Sequence, residues 1–242
     1  MQQVTTPPVR LPIESALDGV ASVDRRPVPR RRAVGEAEES YRKAALFLSK
    51  MVANGSRSVM FCSARRGEGT TTAVLSLAHQ LQDNYGLRPL VIELTRRKPV
   101  LAKLFALHPA HTLDDALGQS QQVLDCIQQT ASGLSVIPGG SRRAANPHPR
   151  LHSGLGSVLK QAEELFDVVL LDAPPILTQA DAIIAGTIVP TLILVVESGR
   201  TSYEVLERVK GELANEQIKI AATVLVKQKR FIPRWVYWWL TR

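Results

Sequence analysis

The sequence predicts an α/β fold, a doubly wound, mostly parallel sheet covered by helices on both faces. Three observations carry that expectation. Between residues 35 and 226, short continuous apolar runs recur instead of alternating ones, the pattern of strands buried on both faces. Stretches of helical spacing separate them, as crossover connections between parallel strands require. A glycine-containing turn, Ala64-Arg-Arg-Gly-Glu-Gly-Thr-Thr-Thr72, follows the first run and leads into a helical stretch. No internal repeat is visible.

Residues 1–34 hold six Arg against three acids, are rich in Pro and lack apolar periodicity, which predicts a flexible basic arm. From residue 35 to about 52 the spacing turns helical, with Tyr41, Ala44, Ala45, Leu48 and Val52 on one face. Strand-like runs follow at 58–63, 90–94, 134–137, 168–171, 191–196 and 221–226. Helical stretches are expected near 71–84, 120–130, 153–165, 178–186 and 201–215. Residues 227–242 form a basic aromatic tail. The chain thus divides into a basic arm (1–34), one α/β domain (35–226) and the tail (227–242).

Composition bounds the function classes. With 242 residues, 45% of them hydrophobic and 21% charged, the chain has enough apolar sequence for one substantial core, which excludes disorder throughout. The net charge of +8 resides in the two ends: residues 1–34 carry +3, residues 227–242 carry +5, and the body balances to zero. Basic ends of this kind meet phosphate, on nucleic acid or on anionic lipid; a solubilising arm is an equal alternative for residues 1–34. Cys62 and Cys126 form no metal-binding pair, which fits a reduced cytoplasmic protein. Pro7, Pro8 and Pro12 interrupt any secretory leader. The longest uncharged apolar stretch, 182–196, is broken by Gly186 and Pro190 and is too short to span a bilayer. The five histidines show no metal spacing, and Ser63 and Ser76 have no nearby His–acid pair.

Three segments carry chemistry. Backbone N–H groups of a glycine-rich turn at a helix N-terminus approach phosphate oxygens, and the pattern GxxxxGK[ST] adds a Lys that reaches the terminal phosphates. Here Ala64 takes the first Gly position, Gly69 the second, Thr70 stands in place of the Lys and Thr71 follows. A tight turn with a threonine-rich helix start explains the same residues. In Phe166-Asp-Val-Val-Leu-Leu-Asp-Ala-Pro-Pro175, Asp172 directly follows a buried strand, where a carboxylate holds the magnesium–water shell of a nucleotide. In Leu90-Val-Ile-Glu-Leu-Thr-Arg-Arg-Lys-Pro99, Glu93 ends the second strand before a basic turn.

Together these segments resemble the cytoplasmic tyrosine autokinases of bacterial exopolysaccharide and capsule synthesis, deviant phosphate-loop ATPases of the septum-site and partition type. The resemblance spans residues 36 to 226. An E-x-x-R-x-x-R oligomerisation helix corresponds to Glu39-Ser-Tyr-Arg42-Lys-Ala-Ala45, and the phosphate loop to residues 63–72. The second acidic motif, I-D-x-D-x-R-x-P, corresponds to residues 92–99. Further matches are Thr112-Leu-Asp-Asp-Ala-Leu-Gly118, residues 134–139 with Asn146-Pro147, residues 166–175, and Asp181-Ala182. The resemblance implies ATP and Mg2+ as cofactors. Arg65, Gly67, Glu68, Gly69, Thr70, Thr71 and Thr72 would then bind nucleotide, Thr71 and Asp172 magnesium, and Glu93 and Asp172 would serve catalysis. It also implies a homo-oligomer through Glu39 and Arg42, and partnership with an inner-membrane polysaccharide co-polymerase that sets chain length. The departures fall in the chemistry. Thr70 replaces the loop Lys, Glu93 and Thr95 replace two aspartates, and Ala45 replaces an Arg. Lys227 stands where relatives have an adenine-recognising Asn, and only Tyr237 remains of a tyrosine cluster. Arg65 lies at the position of the superfamily's additional signature Lys and, with Arg66, is a candidate substitute cation.

All three Trp lie in the tail. If it is helical, Trp235, Trp238 and Trp239 share a face flanked by Arg230, Arg234 and Arg242, as suits an anionic membrane surface or a membrane partner's groove; packing on its own domain is the alternative. The reading is a cytoplasmic accessory protein of exopolysaccharide synthesis and export, peripheral at the inner membrane, with a degenerate, weak or inactive nucleotide site. A divergent ATP-dependent tyrosine autokinase using Arg65, Thr71, Glu93 and Asp172 is the enzyme alternative. A partition-type DNA-binding protein is the third, disfavoured by the aromatic tail; no specific nucleic acid is expected.

Overall fold

Every residue of Ser58–Ser63, which forms β1, is buried, and its side chains divide between two cores. Met60 and Cys62 join one apolar cluster while Val59 and Phe61 join the other, the period-two consequence of a strand covered on both faces. The computed structural model describes residues 35–95, 99–119, 121–140 and 147–227. In chain order they form α1 (Gly35–Ala53), β1, α2 (Thr70–Tyr85), β2 (Pro89–Glu93), α3 (Leu101–Leu104), α4 (Leu113–Leu117), α5 (Val123–Cys126) and β3 (Gln128–Gln129). There follow β4 (Ser135–Ile137), α6 (Pro147–Leu165), β5 (Val168–Asp172), α7 (Ala180–Ile188), β6 (Leu192–Glu197), α8 (Tyr203–Asn215) and β7 (Ile220–Val226).

The strands lie in the order β3-β4-β2-β5-β1-β6-β7, parallel except for the β3–β4 pair. Helices α1 and α2 supply Ala45, Leu48, Val74, Leu77 and Leu81 to the cluster on one face. The other face receives Leu155, Val158 and Ala162 of α6, Ala182 and Ala185 of α7, and Val209 and Leu213 of α8. The doubly wound α/β expectation holds, and of the helical face expected in α1, Ala45 and Leu48 are fully buried. No described helix is long and apolar enough to cross a membrane.

One expected element differs. The stretch 120–130 is not a single helix: α5 makes one turn, and the chain then becomes extended at Ile127 and pairs as β3 against β4. Val123, Cys126 and Ile127 are all buried, so their helix-like spacing reflects burial of one turn followed by a strand. The brief helices α3 and α4 lie where no helix was expected; Asp115 fixes the start of α4 by accepting the Thr112 N–H at 2.8 Å.

Register places the chemistry. Phe61 and Glu93 both pair with Asp172, and Glu197 pairs with Val226. The ends of β1, β2, β5, β6 and β7 therefore converge at one edge of the sheet, the carboxyl edge where open α/β sheets bind ligands.

Candidate functional site

The connection from β1 to α2 turns on two glycines. Gly67 (φ +86°) and Gly69 (φ +101°) lie in the left-handed region, which glycine enters without a Cβ clash. Their bends start α2 at Thr70, directing its free N–H groups at the carboxyl edge. Between them Glu68 is buried: its carboxylate accepts the Arg65 N–H at 3.0 Å and the Thr201 hydroxyl at 2.7 Å. The Ser63 hydroxyl donates to the Arg65 carbonyl at 3.0 Å. Glu68 thus turns inward and braces the loop, while Arg65 and Arg66 are exposed.

Thr70, 9% exposed, opens α2 without charge. Thr71 donates its hydroxyl to Asp172 Oδ2 at 2.7 Å, which brings together two groups the sequence assigned to magnesium. Thr72 is exposed. Burial pushes the Asp172 carboxyl up to about 7; the Thr71 hydrogen bond lowers it in part, and the neighbouring Glu93 raises it further. A hydroxyl and a carboxyl at this distance are hard oxygen ligands suited to magnesium and its waters.

Glu93 is fully buried and held by backbone. Its Oε1 accepts the Val100 N–H, its Oε2 accepts the Gly139 N–H at 2.9 Å, and the Leu101 N–H lies 3.4 Å from both. Burial raises its pKa above the usual range against the lowering effect of those N–H groups. Its carboxylate therefore braces the turns after β2 and β4. Gly139 has no room for a side chain, since a Cβ would lie 2.6 Å from the Thr95 carbonyl.

A second cluster forms the rim. Lys227, directly after β7, donates from Nζ to the Gly67 carbonyl at 2.6 Å and pairs with Glu197 Oε2 at 3.1 Å. Arg200 Nη1 pairs with the same oxygen at 3.1 Å. Partial burial works to raise the Glu197 pKa, but hydrogen bonds from Lys227 and Arg200 outweigh it and hold it below the usual range. Sequence reasoning flagged Lys227 only as a departure and missed Glu197, Arg200 and Thr201. The signal was available: Glu197 ends β6 as Asp172 ends β5.

Other expected site residues lie apart. Glu39 falls within α1, and Arg42 is exposed on it. Trp235, Trp238, Trp239 and Tyr237 lie outside the described residues, as do residues 1–34.

No protein-family model matches the chain. The tyrosine-protein kinase YwqD of Bacillus subtilis is 30% identical over 175 residues, covering 72% of this chain and 73% of that protein. The chain belongs to the bacterial tyrosine-protein kinases. The tyrosine-protein kinase CpsD of Streptococcus agalactiae is 28% identical over 68% of this chain and 72% of its own length. Among solved structures, the VpsO kinase domain superposes with a TM-score of 0.69 and 26% identity, covering 81% of this chain and 98% of that one. The fold is accordingly the phosphate-loop type of these kinase domains. Within that fold this kinase-family chain has the glycine turn with Thr71 and Asp172 beside it, and position 70 carries no cation.

Proposed function

We propose that the chain is an accessory or regulatory member of its kinase family in bacterial exopolysaccharide synthesis and export, with a nucleotide site that does not transfer phosphoryl groups. The carrying observation is Thr70, which opens α2 where the phosphate-loop pattern requires a Lys. Phosphoryl transfer relies on cations that stabilise charge spreading over the transferred group. By analogy, removing one preorganised oxyanion-hole donor from an acyl-transfer site costs about 3–4 kcal/mol of transition-state stabilisation. Glu93 adds support, since its carboxylate braces two turns. Thr71 and Asp172 suit magnesium, so ATP and Mg2+ are proposed as ligands held without turnover.

In this reading the protein lies at the cytoplasmic face of the inner membrane. Residues 35–226 are the nucleotide module, oligomerising through Glu39 and Arg42 of α1. The basic aromatic tail meets the anionic membrane surface, and the partner is a membrane co-polymerase that sets polysaccharide chain length. The test measures magnesium-dependent ATP hydrolysis and phosphotyrosine on the purified protein beside Thr70→Lys. The expected result is background activity in the natural protein. Phosphotyrosine on it would sink the reading and restore the autokinase alternative.

A further inference from the structure

We infer that Lys227 is the positioning cation of the loop, and that through it the site takes nucleoside diphosphates and triphosphates about equally. This deepens the reading above and rests on it.

Three observations meet at Lys227. Its ammonium touches the phosphate loop itself, at the Gly67 carbonyl, 2.6 Å away. Its stem passes over the second loop glycine, where a Cβ on Gly69 would lie 3.6 Å from Lys227 Cε. Its backbone is left-handed, with φ +53°, a conformation that Asn and Gly tolerate and Lys rarely adopts. Such strain persists only where the surroundings over-determine it, and here the ammonium is held by both Gly67 and Glu197. An ammonium carries three donors, and these two contacts use two of them. The Lys227 side chain is 48% exposed, so the third can face a ligand.

The position of the charge sets the specificity. Loop N–H groups cradle the α- and β-phosphates, whereas the Lys that normally follows the second glycine reaches the β- and γ-phosphates. At that point stands uncharged Thr70, and the Lys227 ammonium instead meets the loop three residues earlier, at the Gly67 carbonyl. A γ-phosphate therefore gains no cation of its own from position 70, and it brings negative charge toward the end of β5, where Asp172 lies.

The experiment is calorimetric titration of magnesium–ADP and magnesium–ATP into the full chain, the Lys227→Gly variant and Thr70→Lys, with phosphate release followed on the same samples. Gly tolerates the left-handed backbone, so the substitution removes the cation and keeps the turn, without the adenine-recognising Asn that relatives carry there. Expected are ADP and ATP affinities within about threefold of each other, and about tenfold weaker binding of both in Lys227→Gly. Thr70→Lys is expected to gain affinity for ATP selectively. Unchanged binding in Lys227→Gly, no binding to the natural protein, or a tenfold preference for ATP would each overturn the inference. Phosphate release by the natural protein would instead overturn the proposed function, whichever way the affinities fall. Should Lys227→Gly not fold, Glu197→Gln reads the same idea by freeing the ammonium from its carboxylate. Tighter binding supports the inference, and unchanged binding counts against it.

Discussion

Asp172 was legible in the sequence as an acid directly after a buried strand, but its protonation was not. That depends on β1 and β2 flanking it and on Glu93 standing opposite in register, both long-range facts. Burial, more than any partner, carries its pKa to about 7. A carboxyl with a folded pKa above its unfolded value of about 3.9 binds more protons in the folded state, so stability is greatest at low pH. It falls by up to ~1.4 kcal/mol per pH unit as pH rises toward 7 and then levels off. Asp172→Asn keeps an oxygen to accept from Thr71 without ever ionising. The variant is expected to be more stable than the natural protein at pH 8, by roughly 1–3 kcal/mol, and to show a shallower fall between pH 4 and 7. Part of the slope remains, because Glu93 is also raised. Urea unfolding across that range measures it, and parallel curves for the two proteins would refute the assignment.

The elements were read well wherever a strand is buried on both faces, since continuous apolar runs have no competing explanation there. The six expected strands all form, with limits shifted by one residue at most positions. What escaped were the short pieces between β2 and β4, where α3, α4, α5 and β3 are each too brief for periodicity to register. Their order comes from tertiary contacts, and Glu93 is the chief of these. It ties the N-terminus of α3 to the turn after β4 through Val100, Leu101 and Gly139. The backbone at Gly139 approaches so closely that a single methyl would meet the Thr95 carbonyl at 2.6 Å. Gly139→Ala is therefore expected to destabilise by about 1–3 kcal/mol, the usual cost of overpacking. Denaturant unfolding beside Gly156→Ala, at a helical position with open space around it, checks this. Equal effects of the two substitutions would mean that Glu93 does not depend on that approach.

At the scale of the whole molecule, charge and fold are separated. Residues 35–226 balance to zero, while residues 227–242 carry +5 with no acid. Lys227 complicates the boundary drawn from sequence, because its ammonium belongs to the phosphate loop. Four cations then remain from Lys229 onward, together with all three Trp. Basic residues near an anionic bilayer contribute about 1 kcal/mol each, a contribution that salt screens within a Debye length, and interfacial Trp adds apolar burial that salt leaves intact. Truncation after Lys227 is expected to abolish co-sedimentation with anionic liposomes while leaving nucleotide titrations unchanged. Truncation before Lys227 is expected to abolish co-sedimentation and also to weaken nucleotide binding about tenfold. Binding of the intact chain to those liposomes should weaken with added salt yet not vanish, because the aromatic contribution persists. Sedimentation of the shorter chain at the level of the intact one would show that the membrane is met by residues 1–34 or by the domain, and the tail would lose its proposed role.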